Sequence, residues 1–357
     1  MIKNGIVELH ELLDNGSVTC SDLVNESIKE AHNLQNNCNA FVTIIDDAKN
    51  DCKSDSILCG IPFGVKDNYS TKGVLSTGSS NTLKDYVPFF DATAVDNLKK
   101  CGAVMVAKTA LDEFGMGGTG TTAHTGVIKN PWDKKRICGG SSAGSACSVA
   151  AGVYPFAFGS DTGDSIRKPA AYCGVVGYKP TYGMISRYGL FAFASSLDTC
   201  GVFTRNVRDA AIVVDAMKGI DDKDQTTWDS SDIKLYENLN NVLTLKGDYG
   251  RQSFGNNEKV NIEFVSANPT GILHMGNARG GAYGDSLARI MSFCGYDVTK
   301  EYYLNDAGNQ INKLANSVYS RYLTLCGIEN EFPENGYPGK EIYDIAEKLY
   351  SEYKDKY

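Results

Sequence analysis

Short apolar runs, each bounded by turns rich in Gly and Ser, recur through residues 60–220. The clearest of them are AVMVA at 103–107 and VYPFAFG at 153–159. A run of this length without polar alternation is typical of a strand buried on both faces, and such strands need helices on each side of their sheet. We therefore predict an α/β fold with a central sheet and flanking helices.

Two amphipathic helices are predicted ahead of this region, over residues 6–13 and 21–34, because apolar and charged positions recur there at helical spacing. Thr19 is followed three residues later by Asp22, which is the pattern of an N-terminal capping box. This pair marks the start of the second helix.

The composition limits the classes of partner. The 357 residues include 35 Lys and Arg against 43 Asp and Glu, a formal net charge of −8. A chain of this charge lacks a broadly basic surface, so any contact with RNA should be local or made through a partner. No apolar stretch approaches the ~18 residues of a membrane span, and no leader is evident at the N-terminus. We expect a cytoplasmic protein without membrane contact.

The spacing of cysteine and histidine residues also limits the class of protein. The eleven cysteines form no CxxC pair, and the four histidines are scattered along the chain. Dense spacing would indicate a disulfide scaffold or a zinc site, and neither spacing is found. We predict reduced thiols and no metal site.

A polar stretch rich in Asp, Asn and Ser separates two parts of the chain. It covers residues 219–258 and has the composition of a segment that buries little surface. We place a boundary near residue 240, with a first domain over 1–238, a junction over 239–258 and a second domain over 259–357.

The second domain begins with a strand, helix, strand pattern. VNIEFV at 260–265 and DVTKEYYL at 297–304 predict strands, and 278–294 predicts an amphipathic helix between them. Large apolar residues, including Tyr283 and Ile290, share one face of that helix. This order is typical of a nucleotide-binding unit.

Two small-residue loops carry the first candidate constellation. GGSSAGSA at 139–146 contains Ser141, and SDTGDSIRKPAA at 160–171 contains Ser165. A loop of this kind by itself is more often a flexible turn. The stretch GVKDN, which contains Lys66, completes a pattern that a turn does not explain.

These three stretches together resemble the amidase-signature family. That family takes a lysine from GVKD, a serine from GGSS in a cis peptide, and a nucleophilic serine from GSIR. The resemblance implies that Ser165 is the nucleophile, Ser141 the bridging serine and Lys66 the terminal base. A lysine serves as a base only if burial lowers its pKa by several units, so Lys66 should be buried and neutral.

The same resemblance implies an oxyanion hole at the loop before the nucleophile. The backbone amides of Thr162, Gly163, Asp164 and Ser165 would form it, each donor contributing about 3 kcal/mol to the transition state. The family has glycine where this chain has Asp164. A carboxylate facing the developing oxyanion would oppose catalysis, so its side chain should point outward.

Within the family, the run at 173–211 resembles the A subunits of glutamyl-tRNA(Gln) amidotransferases. The resemblance implies a glutamine amidohydrolase that needs no cofactor and supplies ammonia to partner subunits B and C, with tRNA contacted indirectly. It stops near residue 235. We therefore expect a truncated amidase-signature domain, a partial mixed-sheet core whose glutaminase activity is impaired.

The second candidate constellation is EFVSANPTGILHMGNARGG at 263–281. A strand end, a turn and a histidine at a helix start present backbone amides that suit a phosphate, although a lone histidine there is more often a cap or core residue. The string resembles the class I arginyl-tRNA synthetases, which implies a partial Rossmann-like unit using ATP with magnesium. The residues implied for ATP are His274, Gly276 and Asn277, and those implied for arginine are Glu263, Ser266 and Asn268.

Three hypotheses for the function stay open. The first is an amidase subunit that depends on Lys66, Ser141 and Ser165. The second is an arginine-tRNA ligase fragment that binds ATP through the HMGN motif; no KMSKS-like loop follows that motif, so we expect adenylate formation to be impaired. The third is an inactive fusion of two gene fragments, in which neither site is whole.

Overall fold

The computed structural model describes residues 1–48, 54–265, 273–303 and 308–357. It divides into two compact units, Met1–Thr244 and Leu245–Tyr357. Within the described ranges, no helix is both long and apolar enough to cross a membrane. The predicted junction over 239–258 stays a prediction, and part of it belongs to a helix that ends at Leu245.

The first unit contains six strands and seven α-helices in its described part. The strands are β1 (Phe41–Ile44), β2 (Pro62–Lys66), β3 (Val104–Thr109), β4 (Phe156–Asp161), β5 (Val176–Tyr178) and β6 (Thr199–Thr204). The helices are α1 (Ile6–Asp14), α2 (Cys20–Cys38), α3 (Thr93–Lys100), α4 (Ala143–Ala151), α5 (Arg167–Cys173), α6 (Val207–Met217) and α7 (Leu235–Leu245).

The six strands form one mixed sheet in the order β1-β3-β2-β4-β6-β5. Strand β2 lies in parallel between β3 and β4, while the β1–β3, β4–β6 and β5–β6 pairs are antiparallel. The predicted α/β class with a mixed sheet and flanking helices is confirmed.

Local sequence signals fix several of these elements. Helix α2 begins after Thr19, whose hydroxyl oxygen accepts the Asp22 N–H at 3.1 Å while the Asp22 carboxylate accepts the Thr19 N–H at 2.9 Å. This reciprocal pair satisfies two helix-end donors, as predicted. The runs AVMVA and VYPFAFG lie largely in β3 and β4, and all six residues of each strand are buried.

Apolar side chains cover the sheet on both faces. Along β4, Phe156 and Phe158 belong to one cluster of core residues and Ala157 belongs to the other, as the two-residue period of a strand requires. The ring of Phe63 in β2 stacks on that of Phe156, with centroids 5.2 Å apart. The central strands are therefore shielded from water along their whole length.

One ion pair lies inside this core. Lys108 in β3 and Asp67, directly after β2, are both fully buried, and their Nζ and Oδ1 atoms are 3.5 Å apart. Burial lowers the pKa of Lys108 to about 8, while the Asp67 carboxylate acts to raise it. Within the described residues, Asp67 Oδ1 has no hydrogen-bond partner and faces the Lys108 ammonium, whereas Oδ2 accepts from the Thr77 N–H at 2.9 Å and from the Thr77 hydroxyl at 2.5 Å.

Nine of the described cysteines carry free thiols, but Cys59 is disulfide-bonded. The prediction of reduced thiols was therefore wrong at this residue. It rested on the overall spacing of cysteines, which does not reveal an isolated bond.

The second unit begins with a parallel pair of strands joined by a helix. Its described elements are β7 (Lys259–Glu263), α8 (Met275–Phe293), β8 (Asp297–Glu301), α9 (Asn309–Leu325) and α10 (Lys340–Tyr353). The predicted strand, helix, strand order is confirmed.

The inward face of α8 differs from the prediction. Tyr283 and Ile290 are 73% and 60% exposed, whereas Gly284 and Ala288 are buried. A Cβ on Gly284 would lie 2.4 Å from the side chain of Phe264, so only glycine fits this approach. The prediction was wrong because it chose the larger apolar face, whereas the close approach after β7 selects the face with small residues.

We expect Lys108→Met to lower the free energy of unfolding of the first unit by about 3 kcal/mol, because it leaves the Asp67 carboxylate buried without a cation beside it. Urea unfolding followed by tryptophan fluorescence measures this, since Trp132 and Trp228 both belong to that unit. The matched control is Lys100→Met, which removes an exposed pair with Asp96 and should change little. Equal effects of the two substitutions would contradict the assignment.

Candidate active site

Lys66 ends strand β2 and is fully buried. Its Nζ donates hydrogen bonds to Ser141 Oγ and to Ser160 Oγ, each at 2.8 Å. The neighbouring parallel strand β4 ends at Asp161, so the carboxyl ends of the two strands meet at the same edge of the sheet. The candidate site lies at this edge.

Ser141 follows Gly140 through a cis peptide bond and lies just before α4. Its carbonyl oxygen accepts the Asp112 N–H at 3.1 Å, and its side chain is buried. A Cβ on Gly140 would lie 2.0 Å from Asp112 Oδ2. Glycine at position 140 therefore lets the loop approach the Asp112 carboxylate and hold Ser141 beside Lys66.

Ser165 lies in the loop between β4 and α5 and is 7% exposed. Its carbonyl oxygen accepts the Ser142 N–H at 3.2 Å, which binds the two serine loops to each other. Among the contacts of the described residues there is no hydrogen bond between the Ser141 and Ser165 hydroxyls. The structure thus joins Lys66 to Ser141 through side chains, and joins the Ser165 loop to the Ser141 loop through the backbone.

Ser160 and Asn68 belong to the same group of polar side chains, although sequence reasoning missed them. Ser160 Oγ accepts from Lys66 Nζ and also from Asn68 Nδ2 at 3.1 Å. A serine next to the last residue of a mainly apolar strand was the available signal for Ser160. Asn68 follows Lys66 by two residues and offered no such signal, because its role depends on how β2 pairs with β4.

Burial sets the charge of the lysine. It lowers the pKa of Lys66 to about 7, against the opposing effects of the carboxylates of Asp112, Asp161 and Asp198. None of these acids makes an ion pair with Lys66 in the described structure. A substantial fraction of the amine is therefore neutral near pH 7, which is the state that accepts a proton.

The loop predicted to hold an oxyanion is fixed by its side chains. Thr162 Oγ1 donates to Asp198 Oδ1 at 2.5 Å, and Arg167 Nη2 donates to Asp161 Oδ1 at 3.1 Å and to the Gly163 carbonyl oxygen. These contacts hold both sides of the loop in place before any ligand binds.

Asp164, the residue that replaces glycine in this loop, is turned towards the next helix. Its Oδ2 lies 2.6 Å from Lys168 Nζ, four residues later on α5, and its side chain is about half exposed at 49%. The carboxylate is therefore paired with a cation and partly hydrated. This arrangement reduces the electrostatic penalty that a free carboxylate would impose beside Ser165.

The second constellation is described only in part. Glu263 ends β7, and His274 is the N-cap of α8, while Ser266 and Asn268 lie outside the described residues. His274 Nδ1 accepts the Gly276 N–H at 3.1 Å, and Asn277 Oδ1 accepts the His274 N–H at 3.1 Å. The exposed histidine thus caps its helix in this structure, and a phosphate would have to displace its ring to reach the Gly276 amide.

Within the described ranges, no group of three or more His, Cys, Asp and Glu residues is arranged to hold a metal ion.

Comparison with known proteins identifies the class to which this fold and site belong. Residues 22–244 match the family model described as Amidase, and residues 238–357 match the one described as tRNA synthetases class I (R), catalytic domain. The first match spans more than half of the chain. The chain therefore belongs to the amidase family.

Its curated relatives include A subunits of glutamyl-tRNA(Gln) amidotransferase. The one from Exiguobacterium sp. (strain ATCC BAA-1283 / AT1b) is 47% identical over 64% of this chain and 49% of the relative. The one from Oenococcus oeni is 46% identical over 63% of this chain and 48% of the relative. The chain thus spans about half the length of these relatives.

A solved structure of the same kind of protein, from Thermotoga maritima, is similar with a TM-score of 0.61 and 31% identity, over 98% of this chain and 73% of the other. The sequence comparisons and this structural one therefore agree on an amidase that is similar to the A subunits of these amidotransferases.

We expect the pH dependence of Ser165 labelling by a fluorophosphonate to follow the ionisation of Lys66. Because burial lowers the pKa of Lys66 to about 7, the labelling rate should fall about tenfold per unit below pH 7 and level off above it. Mass spectrometry of the Ser165 peptide between pH 5 and 10 measures this. Lys66→Met is the control and should abolish labelling. A rate that keeps rising to pH 10 would contradict a buried lysine base.

Proposed function

We propose that the first unit is a glutamine amidohydrolase that supplies ammonia within a tRNA-dependent amidotransferase. The observation that carries this proposal is the buried Lys66 amine, 2.8 Å from Ser141 Oγ, beside the loop of Ser165. Burying a lysine without an ion pair in an apolar core costs free energy, so its presence there indicates a chemical role. The relatives named above support glutamine as the amide donor.

In the proposed mechanism, Ser165 Oγ attacks the side-chain amide carbon of glutamine. Ser141 takes the Ser165 proton and passes its own to neutral Lys66, and the same relay returns a proton to the departing ammonia. Water then hydrolyses the glutamyl ester on Ser165 by the reverse route. Ser160 keeps the lysine oriented by accepting its second hydrogen bond.

The tetrahedral intermediate would place its negative charge at the loop of Thr162, Gly163, Asp164 and Ser165. Backbone amides at this turn are the proposed donors. The Lys168 ammonium, 2.6 Å from Asp164 Oδ2, offsets the negative charge of that carboxylate near the proposed oxyanion. No cofactor is needed for these steps.

The partners proposed for this reaction are the amidotransferase subunits B and C, which would receive the ammonia and bring tRNA. We place the reaction in the cytoplasm. The net charge of −8 supports indirect contact with tRNA, because such a chain does not attract phosphates over its whole surface.

The decisive experiment measures ammonia release from glutamine by the purified chain and by Ser165→Ala. We expect weak activity in the wild type, and a loss of at least about a thousandfold in the variant, because the nucleophile is gone. Ser21→Ala, an exposed serine of α2, is the matched control and should retain wild-type activity. Equal turnover of wild type and Ser165→Ala above background would overturn the assignment. Complete inactivity of the wild type, alone and with added B and C subunits, would favour an inactive fusion.

A second candidate function rests on the parallel strands β7 and β8, which are joined by α8 with His274 at its N-cap. We propose that this unit binds ATP, carried with magnesium, at the HMGN residues His274, Gly276 and Asn277. Arginine would contact Glu263, Ser266 and Asn268. The match of residues 238–357 to the class I synthetase model supports this candidate.

We expect the chain to bind radiolabelled ATP in equilibrium dialysis. His274→Ala should weaken binding about tenfold, because a phosphate that displaces the ring from the Gly276 N–H then has no imidazole to donate a hydrogen bond to it. His10→Ala, which removes a surface pair with Asp14, is the control and should bind like the wild type. An absence of ATP binding by the wild type would refute the second candidate function.

A further inference from the structure

The fully buried carboxylate of Asp112 lies at the centre of a loop that follows it in the chain. Its Oδ2 atom accepts the N–H groups of Thr119 and Gly120 at 3.1 and 2.9 Å. Its Oδ1 atom accepts the N–H groups of Thr121 and Thr122 at 3.0 and 3.3 Å, and the Thr122 hydroxyl at 3.0 Å. Four successive backbone N–H groups that converge on one anion form a nest, here called the Asp112 nest. The mechanism proposed above gives Asp112 no part.

Glycines allow the backbone to close around this carboxylate. A Cβ on Gly117 would lie 2.5 Å from Asp112 Cγ, and one on Gly140 would lie 2.0 Å from Asp112 Oδ2. Gly120 has a φ of +76°, and a Cβ there would lie 2.6 Å from the Cβ of Ala143 on α4. Because these approaches leave no room for other side chains, the loop is shaped around this one acid.

The backbone of Asp112 joins the Asp112 nest to the proposed proton relay. Its N–H donates to the Ser141 carbonyl oxygen at 3.1 Å, and its carbonyl oxygen accepts the Gly115 N–H at 2.7 Å. A Cβ on Gly115 would lie 3.7 Å from Ser141 Oγ and 3.8 Å from Asn68 Nδ2, so this backbone packs directly against the polar group around Lys66. One residue therefore holds both the Ser141 peptide and the backbone that faces the Ser141 hydroxyl.

An amide in place of the Asp112 carboxylate would keep the shape of the side chain but not its acceptors. Asparagine has one acceptor oxygen, and its NH2 group would face N–H groups that the carboxylate now binds. The change would also remove a charge that acts on Lys66. Burial lowers the pKa of Lys66 to about 7, and the Asp112 carboxylate has the largest of the opposing effects. Asp112 is thus linked to Ser141 by hydrogen bonding and to Lys66 by charge.

We propose that Asp112 is a positioning residue of the amidase site: its carboxylate fixes the loop through the Asp112 nest, and its N–H fixes Ser141 beside Lys66. The proposal rests on the proposed function of the first unit, because it gives Asp112 a part in the same relay. Asp112 takes no proton and contacts no substrate. It acts through the placement of Ser141, on which the hydrogen bond to the lysine depends.

The test measures the rate of fluorophosphonate labelling of Ser165 in the whole chain between pH 5 and 10. We expect Asp112→Asn to lower the plateau rate at least about tenfold, because the relay serine is displaced. The inflection of its pH profile should move to lower pH, because Lys66 loses a charge that raises its pKa. A substitution that only loosened the packing would hydrate Lys66 and move the inflection to higher pH instead.

Two neighbouring exposed threonines provide a matched pair of variants outside the core. Thr122→Val removes the hydroxyl that donates to Asp112 Oδ1 and accepts the Glu113 N–H, whereas the Thr121 hydroxyl is bonded to that of Thr119. We expect Thr122→Val to slow labelling about threefold and Thr121→Val to label at the wild-type rate. Tryptophan fluorescence in urea shows whether each variant folds. If Asp112→Asn does not fold, the threonine pair decides.

The proposal is overturned if folded Asp112→Asn keeps the wild-type rate, if its inflection stays in place or moves to higher pH, or if Thr122→Val and Thr121→Val label at equal rates. Those results leave the proposed amidase function intact as long as labelling of wild-type Ser165 depends on Lys66. A wild-type chain that is not labelled at Ser165 overturns the proposed function and this proposal together.

Discussion

The arrangement of the first unit depends on burying one amine. Lys66 ends the strand at the centre of a mixed sheet, and apolar side chains on both faces exclude water from it. An ammonium in that environment is costly, so the group becomes neutral near pH 7 even though three buried carboxylates lie close enough to oppose the change. The serine loops supply hydroxyl partners that a neutral amine can use. The fold thus produces a base where an ordinary surface lysine would be a cation.

A second buried lysine, Lys108, has different partners from Lys66. Lys108 lies on the adjacent strand and is equally buried, yet it pairs with the Asp67 carboxylate and donates to the Tyr69 carbonyl oxygen at 2.7 Å. Lys66 has hydroxyl partners instead of an ion pair. Burial lowers the pKa of both lysines, to about 7 at Lys66 and to about 8 at Lys108, so their partners rather than their pKa values distinguish them. Charge pairing therefore separates a structural lysine from one available for proton transfer.

The resemblance of three short stretches to the amidase-signature family predicted Lys66, Ser141 and Ser165. It missed Ser160 and Asn68, since they join the lysine only when β2 and β4 pair side by side. Helical spacing of apolar residues predicted the wrong inward face of α8, where Gly284 packs under Phe264. The apolar periodicity of a sequence predicts which face of a helix is buried. Where another segment packs closely against the helix, the buried face instead needs small residues.

The sequence by itself determined the α/β class, the capped start of α2, the strand, helix, strand order of the second unit and the residue types of the candidate site. These follow from local patterns, because helix capping, strand burial and loop composition depend on residues that are neighbours in the sequence. The tertiary structure decided the rest. It brought Ser160 to Lys66 and Asn68 to Ser160. Those contacts depend on strand pairing and helix packing, which join residues far apart in the chain.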